Sequence, residues 1–225
     1  MLRAVIFDVD GTLIDSVDAH ARAWRDMFAR YGHEVPFDEI RHQIGKGSDQ
    51  LMPVFLSEDE MERFGERLDR ERSAWFKKEY LPHLRAFPAT RELFERIKED
   101  GRRIVLASSA KEDELERYKE LARIGDLIEE ATSSDEAEKS KPHPDIFQAA
   151  LGRLKDVEPA EVLVVGDTPY DVEAASKADL RTIGLLCGGF PEAEIRAAGA
   201  IAIFRDPADL LARYDESPLA PGRLD

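Results

Sequence analysis

Residues 7–12, FDVDGT, place two aspartates two positions apart, directly after an apolar run and directly before a glycine. The run from Ala4 to Val9 predicts a short strand buried on both faces, the kind found in parallel sheets. Alternate residues of an extended chain face the same side, so Asp8 and Asp10 would project together while Val9 turns away. Such a pair is either a solvated strand-to-loop corner or two carboxylates with a shared task.

Working outward, three further runs resemble the first: RIVLAS (103–108), VLVVGD (162–167) and RTIGLL (181–186), with a weaker one at AIAIF (200–204). Amphipathic patterns fall between them at 89–100, 111–124, 144–154 and 169–178. Strands alternating with helices of this length predict an α/β fold, a Rossmann-like, doubly wound parallel sheet. From about Ser16 to Arg85 the alternation stops and only helical patterns appear. Ser16 can cap a helix carrying Val17, Trp24, Met27, Phe28 and Tyr31, and a second long helix is expected from Glu58 to Tyr80. The expected organisation is an α/β core of 1–15 and 87–215, an inserted all-helical cap subdomain of 16–86, and a loose tail over 216–225.

The 225 residues can bury a sizeable core, and 43% hydrophobic with 35% charged residues is the composition of a globular chain. A formal net charge of −15 opposes nonspecific binding to nucleic acid or anionic membrane, so neither is expected as a partner. An anionic substrate would have to be met by a local metal or a few placed cations. No apolar run approaches the roughly 20 residues of a membrane span, and the charged start (Arg3, Asp8, Asp10) does not read as a signal peptide. One cysteine, Cys187, excludes an internal disulfide. Together these predict a cytoplasmic protein.

In open α/β sheets ligands bind beyond the carboxyl ends of the strands. Those ends carry Asp8, Asp10 and Thr12 after the first strand, Ser108 and Ser109 after the second, and Asp167 with Asp171 after the 162–166 run; Lys141 stands before the 144–154 helix. Clustered carboxylates repel unless a cation sits among them, and a hard divalent ion with oxygen ligands, most naturally Mg²⁺, meets that need. A metal flanked by lysine and hydroxyls would receive a phosphoryl group. One carboxylate could then act as nucleophile and the second as proton donor and acceptor.

FDVDGT, LASSA, KSKPHPDIF and VVGDTPYD resemble, in order, the four motifs of the haloacid dehalogenase superfamily. The helical insertion after the first motif is similar to that family's helical cap type, as in its phosphoglycolate phosphatase-like and β-phosphoglucomutase-like members. The resemblance implies Asp8 as nucleophile and Mg²⁺ ligand, and Asp10 as general acid/base with its backbone carbonyl on the metal. It implies Ser108, Ser109 and Lys141 on the phosphoryl oxygens, Thr12 bracing the turn beside Asp10, Asp167 as a direct metal ligand and Asp171 supporting the metal. An aspartate at position 10 favours phosphoryl transfer over dehalogenation.

Several readings stay open from sequence. Asp171 either supports the metal or only starts its helix. The resemblance to β-phosphoglucomutase-like members implies a histidine near Asp10 at the position of His20, or His20 is merely a partly buried helix residue. Gly188 and Gly189 either let backbone approach a substrate or make a tight turn. The specificity loop is expected at Gln43 to Leu51, with Lys46 contacting substrate and Ser48 where mutase-type members carry an arginine. The expected activity is that of a Mg²⁺-dependent phosphatase, a phosphoric monoester hydrolase, acting on a small phosphorylated metabolite such as a sugar phosphate or a phosphoglycolate-like compound. It would work through an Asp8 aspartyl-phosphate, as a monomer or weak homodimer. A sugar phosphomutase is the leading alternative. A signalling receiver uses similar groups but is about half this length and lacks a cap.

Overall fold

A computed structural model describes residues 1–133 and 137–223. Six parallel strands, β1 (Ala4–Phe7), β2 (Arg103–Ala107), β3 (Glu130–Thr132), β4 (Val162–Gly166), β5 (Arg181–Leu185) and β6 (Ala202–Phe204), form one sheet in the order β3-β2-β1-β4-β5-β6. This is the doubly wound order, with β1 central and the direction of winding reversing beside it. The five strands expected from sequence are present. The sixth, β3, has the sequence EAT, begins with an exposed glutamate and carries no apolar run, so nothing in its pattern distinguishes it from a loop.

Strand parity builds two cores. Val5 and Phe7 pack with Leu106 and Val165 against α6 (Thr90–Glu99) and α7 (Glu112–Ala122). Ala4, Ile6 and Val164 pack on the opposite face against α8 (Asp145–Arg153) and α9 (Pro169–Lys177). Both faces of the sheet are covered, which is why its strands read as apolar runs and not as alternating patterns. Two short helices, α10 (Glu192–Ala197) and α11 (Pro207–Ala212), follow the last two strands.

Between β1 and α6 the described chain is helical: α1 (Val17–Arg30), α2 (Phe37–Arg41), α3 (Ser48–Phe55), α4 (Glu58–Glu60) and α5 (Glu66–Glu79). In place of one unbroken helix from Glu58 to Tyr80, a π-helical turn at Met61–Gly65 joins α4 to α5. The segment expected as a specificity loop, Gln43 to Leu51, is loop only in its first half, because α3 starts at Ser48. These helices share a core of their own, including Trp24, Met27, Phe28, Ile40, Leu51 and Leu68. The chain leaves and re-enters the sheet domain side by side: Ile14 bridges Ala86, Asp15 donates its N–H to the Arg85 carbonyl (2.9 Å), and Phe87 donates to Leu13 (2.8 Å).

The tail does not hang loose as expected. Ser217 and Leu219 are fully buried, and the buried Arg102 guanidinium donates to the Tyr214 hydroxyl (2.8 Å) and to the Leu219 carbonyl. The polar, proline-containing sequence hides one apolar anchor whose partner stands far back in the chain. Leu224 and Asp225 lie outside the described residues. Among the described residues no helix is long and apolar enough to cross a membrane.

Candidate active site

The ladder of β1 runs one bond past the strand, with the Asp8 N–H donating to the Val165 carbonyl (2.9 Å). Val9 turns into the core with Val5 and Phe7, while Asp8 and Asp10 both line one cavity. The chain then folds back through Gly11, whose φ of +82° lies in the left-handed region. A Cβ there would fall 2.4 Å from Asp167 Oδ2, so this glycine is required by conformation and by space.

Beneath the cavity floor sits a charge cluster. Asp8, Asp167 and Asp171, all buried, offer oxygens within 4.8 Å of one another. The Lys141 ammonium reaches Asp8 Oδ1 (2.5 Å) and Asp171 Oδ1 (2.7 Å). Thr12 was expected to brace the turn beside Asp10. Its hydroxyl instead stands between two carboxylates, 3.0 Å from Asp8 Oδ2 and 2.7 Å from Asp167 Oδ1. Asp171 also starts its helix: its Oδ2 accepts the Thr168 N–H (3.0 Å) and hydroxyl (2.7 Å) in a capping box at the head of α9. The two readings of Asp171 are therefore compatible, one oxygen serving each.

Three buried carboxylates face one ammonium. Burial pushes the Asp8 carboxyl up to about 7 although Lys141 opposes the rise and Asp171 adds to it. Burial likewise holds Asp167 well above the carboxylate range, with Asp8 and Asp171 adding their repulsion. Burial alone would lower Lys141, but Asp171 and Asp8 outweigh it and keep the ammonium charged. Asp167 Oδ2 is buried without a hydrogen-bond partner. An uncompensated negative charge with an orphaned oxygen fits a hard divalent cation such as Mg²⁺. Asp8, Asp167 and Asp171 are the side chains placed to hold it. The Asp10 carboxylate is not part of this cluster.

Asp10 is held from the other side. Its Oδ1 accepts the Ser16 hydroxyl (2.6 Å) and lies 2.9 Å from His20 Nε2. Burial would raise this carboxyl, but His20 and Ser16 outweigh it and keep it below the usual range. Ser16, expected to cap α1, makes no capping bond, because its hydroxyl is committed to Asp10. His20 sits on the first turn of α1, stacked on Phe76 at 3.9 Å between ring centres, and is thereby brought to Asp10.

The cavity, about 110 Å³, brings together Asp8, Asp10, His20, Lys46 and Ser109 from the expected set. Ser108, Lys141, Thr12, Asp167 and Asp171 lie beneath its walls. Ser108 is fully buried, and its hydroxyl accepts the Ala110 N–H (3.0 Å). Lys46 donates to Gln43 Oε1 (2.5 Å) and lies 4.7 Å above the Tyr170 ring. Arg72, Lys111 and Glu114 line the same space and were not anticipated. Arg72 and Glu114 stand in runs of charged helical residues and Lys111 directly precedes one, so sequence cannot tell the inward side chain from its solvated neighbours.

Residues 5–185 match the family model described as haloacid dehalogenase-like hydrolase. The chain belongs to that family. The resemblance read from four short motifs therefore holds across the core and the inserted helices alike. A phosphorylated carbohydrates phosphatase of Thermotoga maritima is 29% identical over 216 residues, covering 93% of this chain and 97% of that protein. A phosphoglycolate phosphatase of Nitrosospira multiformis is 29% identical over 182 residues, 79% of this chain and 80% of that one. Among solved structures, a hydrolase from Pseudomonas syringae superposes with a TM-score of 0.86 at 27% identity, covering 95% of this chain and 98% of that one. The chain is an enzyme, a hydrolase, and the phosphatase names of both relatives agree with the phosphoric monoester class expected from its motifs.

Proposed function

We propose that this hydrolase is a Mg²⁺-dependent phosphatase that cleaves a small phosphorylated metabolite, a sugar phosphate or a phosphoglycolate-like compound, through a phosphorylated Asp8. The observation that carries the reading is the division between the two aspartates of FDVDGT. Asp8 belongs to the buried cluster with Lys141, Asp167 and Asp171, whereas Asp10 is turned toward Ser16 and His20, and both open on one cavity.

Asp8 attacks phosphorus, an O–P bond forms to its carboxylate, and the bond to the leaving oxygen breaks as Asp10, protonated for this step against the pull of His20 and Ser16, hands that oxygen a proton. Asp10, now a carboxylate, takes a proton from water. The resulting hydroxide attacks phosphorus, the Asp8 O–P bond breaks, and inorganic phosphate leaves with Asp8 restored. Lys141 holds charge against the phosphoryl oxygens, with Ser108 and the Ser109 backbone beside it. When bound, Mg²⁺ neutralises the carboxylates of Asp8, Asp167 and Asp171 and polarises the phosphoryl group. The helices of residues 16–86 act as a cap that excludes water and supplies contacts to the rest of the substrate, Lys46 among them. The mutase alternative has less support: Ser48 lines the cavity where the resemblance would put an arginine for a second phosphate.

A phosphate-release screen over many phosphomonoesters, with and without Mg²⁺, tests this, with Asp8→Asn as control. Release is expected only with the metal and only from the wild type. Metal-independent release, or release surviving Asp8→Asn, would overturn the mechanism. Interconversion of glucose 1-phosphate and glucose 6-phosphate without net phosphate would favour the mutase.

A further inference from the structure

Behind Asp10 a buried relay crosses from the inserted helices to the sheet domain. Tyr118 and Glu114 lie one turn apart on α7, 1% and 4% exposed. The Tyr118 hydroxyl donates to Glu114 Oε1 (2.9 Å), and its oxygen lies 3.2 Å from His20 Nε2, the same nitrogen that stands 2.9 Å from Asp10 Oδ1. Among the described residues the only basic side chain within 4 Å of the Glu114 carboxylate is His20, at 3.9 Å. A buried glutamate is costly to keep unless it is paired, and the hydrogen bond it accepts here comes from Tyr118.

We propose that Tyr118 and Glu114 are positioning residues for Asp10. The inference rests on the phosphatase reading above. A carboxylate can only accept, so the Tyr118 hydroxyl donates its hydrogen bond to Glu114 and its oxygen is left as an acceptor toward His20. His20 Nε2 must then carry its hydrogen, and that N–H is shared between Tyr118 and Asp10 Oδ1. With the Ser16 hydroxyl also on Oδ1, that oxygen is saturated, and Oδ2 is the one left to exchange a proton with the leaving group. The relay thereby fixes both the direction of the His20 N–H and the orientation of the Asp10 carboxylate, and acts on the reaction through Asp10.

Leaving groups separate this role from a structural one. Loss of an alkoxide needs the proton from Asp10, whereas loss of p-nitrophenolate hardly does. The Mg²⁺-loaded full chain would be assayed on p-nitrophenyl phosphate and on glucose 6-phosphate or phosphoglycolate, whichever the wild type hydrolyses faster. Because Asp10 also serves the second half-reaction, which both esters share, the contrast is expected in kcat/KM, which covers only the steps up to loss of the leaving group. Tyr118→Phe and Glu114→Gln should each lower kcat/KM on the alkyl ester by about tenfold or more, part of a general-acid contribution of about 10²–10⁴. For Tyr118→Phe, whose side chain does not line the cavity, kcat/KM on the aryl ester should stay within about twofold. Independently of activity, the ¹⁵N-histidine spectrum should show a His20 Nε2–H protected from exchange in the wild type and lose it in both variants. Where Glu114→Gln fails to fold, Tyr118→Phe, which deletes a single oxygen, carries both measurements. Equal losses of kcat/KM on the two esters in Tyr118→Phe, or a protected Nε2–H that persists in the variants, would overturn the proposal. A wild type that hydrolyses no ester would sink the phosphatase reading instead, and the spectrum would still decide whether the relay holds His20.

Discussion

Gly188 lies so close to Asp167 that a Cβ at that position would fall 1.6 Å from Asp167 Oδ2. Of the two roles open to this glycine from sequence, the tight turn is present, closed by the Gly189 N–H on the Leu186 carbonyl (2.9 Å), and the contact adds a second demand on the same position. The position after β5 is kept bare for a carboxylate that projects from β4. Asp167 is therefore confined by Gly188 on one side and by Gly11 on the other.

Gly188→Ala is expected to push Asp167 out of the cluster without unfolding the sheet, because the clash is with one side chain at a strand end. Displacing a group at a reaction centre by about 1 Å costs on the order of a hundredfold in rate. Phosphate release should fall by about that factor. Mg²⁺ is expected to raise the thermal midpoint of the wild type, and that rise should shrink or vanish in the same variant. An unchanged Mg²⁺-dependent midpoint would show that Asp167 can move aside at no cost to metal binding.

Lys141 is the only cation in a buried set of three acids, and its side chain is 1% exposed. Lys141→Met would leave Asp8 and Asp171 facing each other without it. Breaking a buried pair typically costs about 3 kcal/mol or more, since a charge is left uncompensated. Urea denaturation in EDTA should show a loss of that size. Saturating Mg²⁺ should restore part of it, and removing one acid as well, in Lys141→Met with Asp8→Asn, should restore part even without metal. A Lys141→Met variant as stable as the wild type in EDTA would contradict the charge balance drawn here.

How much of this was legible in the sequence depends on the kind of contact. Strands such as VLVVG stand out because both faces are buried, so the whole run is apolar; EAT of β3, three residues at the sheet edge, has no such signature. Asp8, Ser108 and Asp167 were readable because a doubly wound sheet brings its strand ends together whatever the side chains are. Ser16, Glu114 and Tyr118 were not. Ser16 bonds Asp10 across the turn after β1, while Tyr118 bonds Glu114 within α7 and meets His20 from an inserted helix; the run KEDELERYKELARI shows only amphipathic spacing. The capping role assigned to Ser16 failed for the same reason: a serine before a helix has two uses for its hydroxyl, and Asp10 took it. In the tail, Leu219 was one apolar residue in a polar stretch, and its anchorage depended on an arginine on the far side of the chain.

That anchorage can be titrated. Burial would raise the Asp100 carboxyl, but Arg96, the Tyr214 hydroxyl and Arg102 outweigh it and hold it below the usual range. Tyr214 donates to Asp100 Oδ2 at 3.0 Å. A carboxyl depressed in the folded state contributes stability that is complete above its unfolded pKa and is lost as pH falls through the folded value. At pH 7, Asp100→Asn should cost about 1–2 kcal/mol, the range for a charged hydrogen-bonded group. The difference from wild type should narrow below about pH 4, where the unfolded chain begins to take up the proton. A difference that is flat from pH 7 to pH 3 would mean the Asp100 charge contributes nothing to holding the tail.

Lys46 presents the last case, because in this structure its ammonium already has partners. It donates to Gln43 and lies over Tyr170, whose own hydroxyl donates to the His42 carbonyl at 2.8 Å and ties the loop before α3 to the head of α9. Burial lowers the Lys46 ammonium pKa while Glu173 opposes the shift. A partly desolvated cation at the cavity wall is well placed to meet a carboxylate or hydroxyl on the part of a substrate far from phosphorus. A small aryl phosphate offers no such group. Lys46→Ala should therefore raise KM for a sugar phosphate or phosphoglycolate several-fold while leaving p-nitrophenyl phosphate nearly unchanged, since a contact equal in ground and transition states acts on binding. Tyr170→Phe separates the alternatives. It removes the tie to His42 but keeps the ring under the ammonium, so it should perturb both esters alike if the tie closes the cavity. Equal losses on the two esters from Lys46→Ala would assign that lysine to closing the loop and not to choosing the substrate.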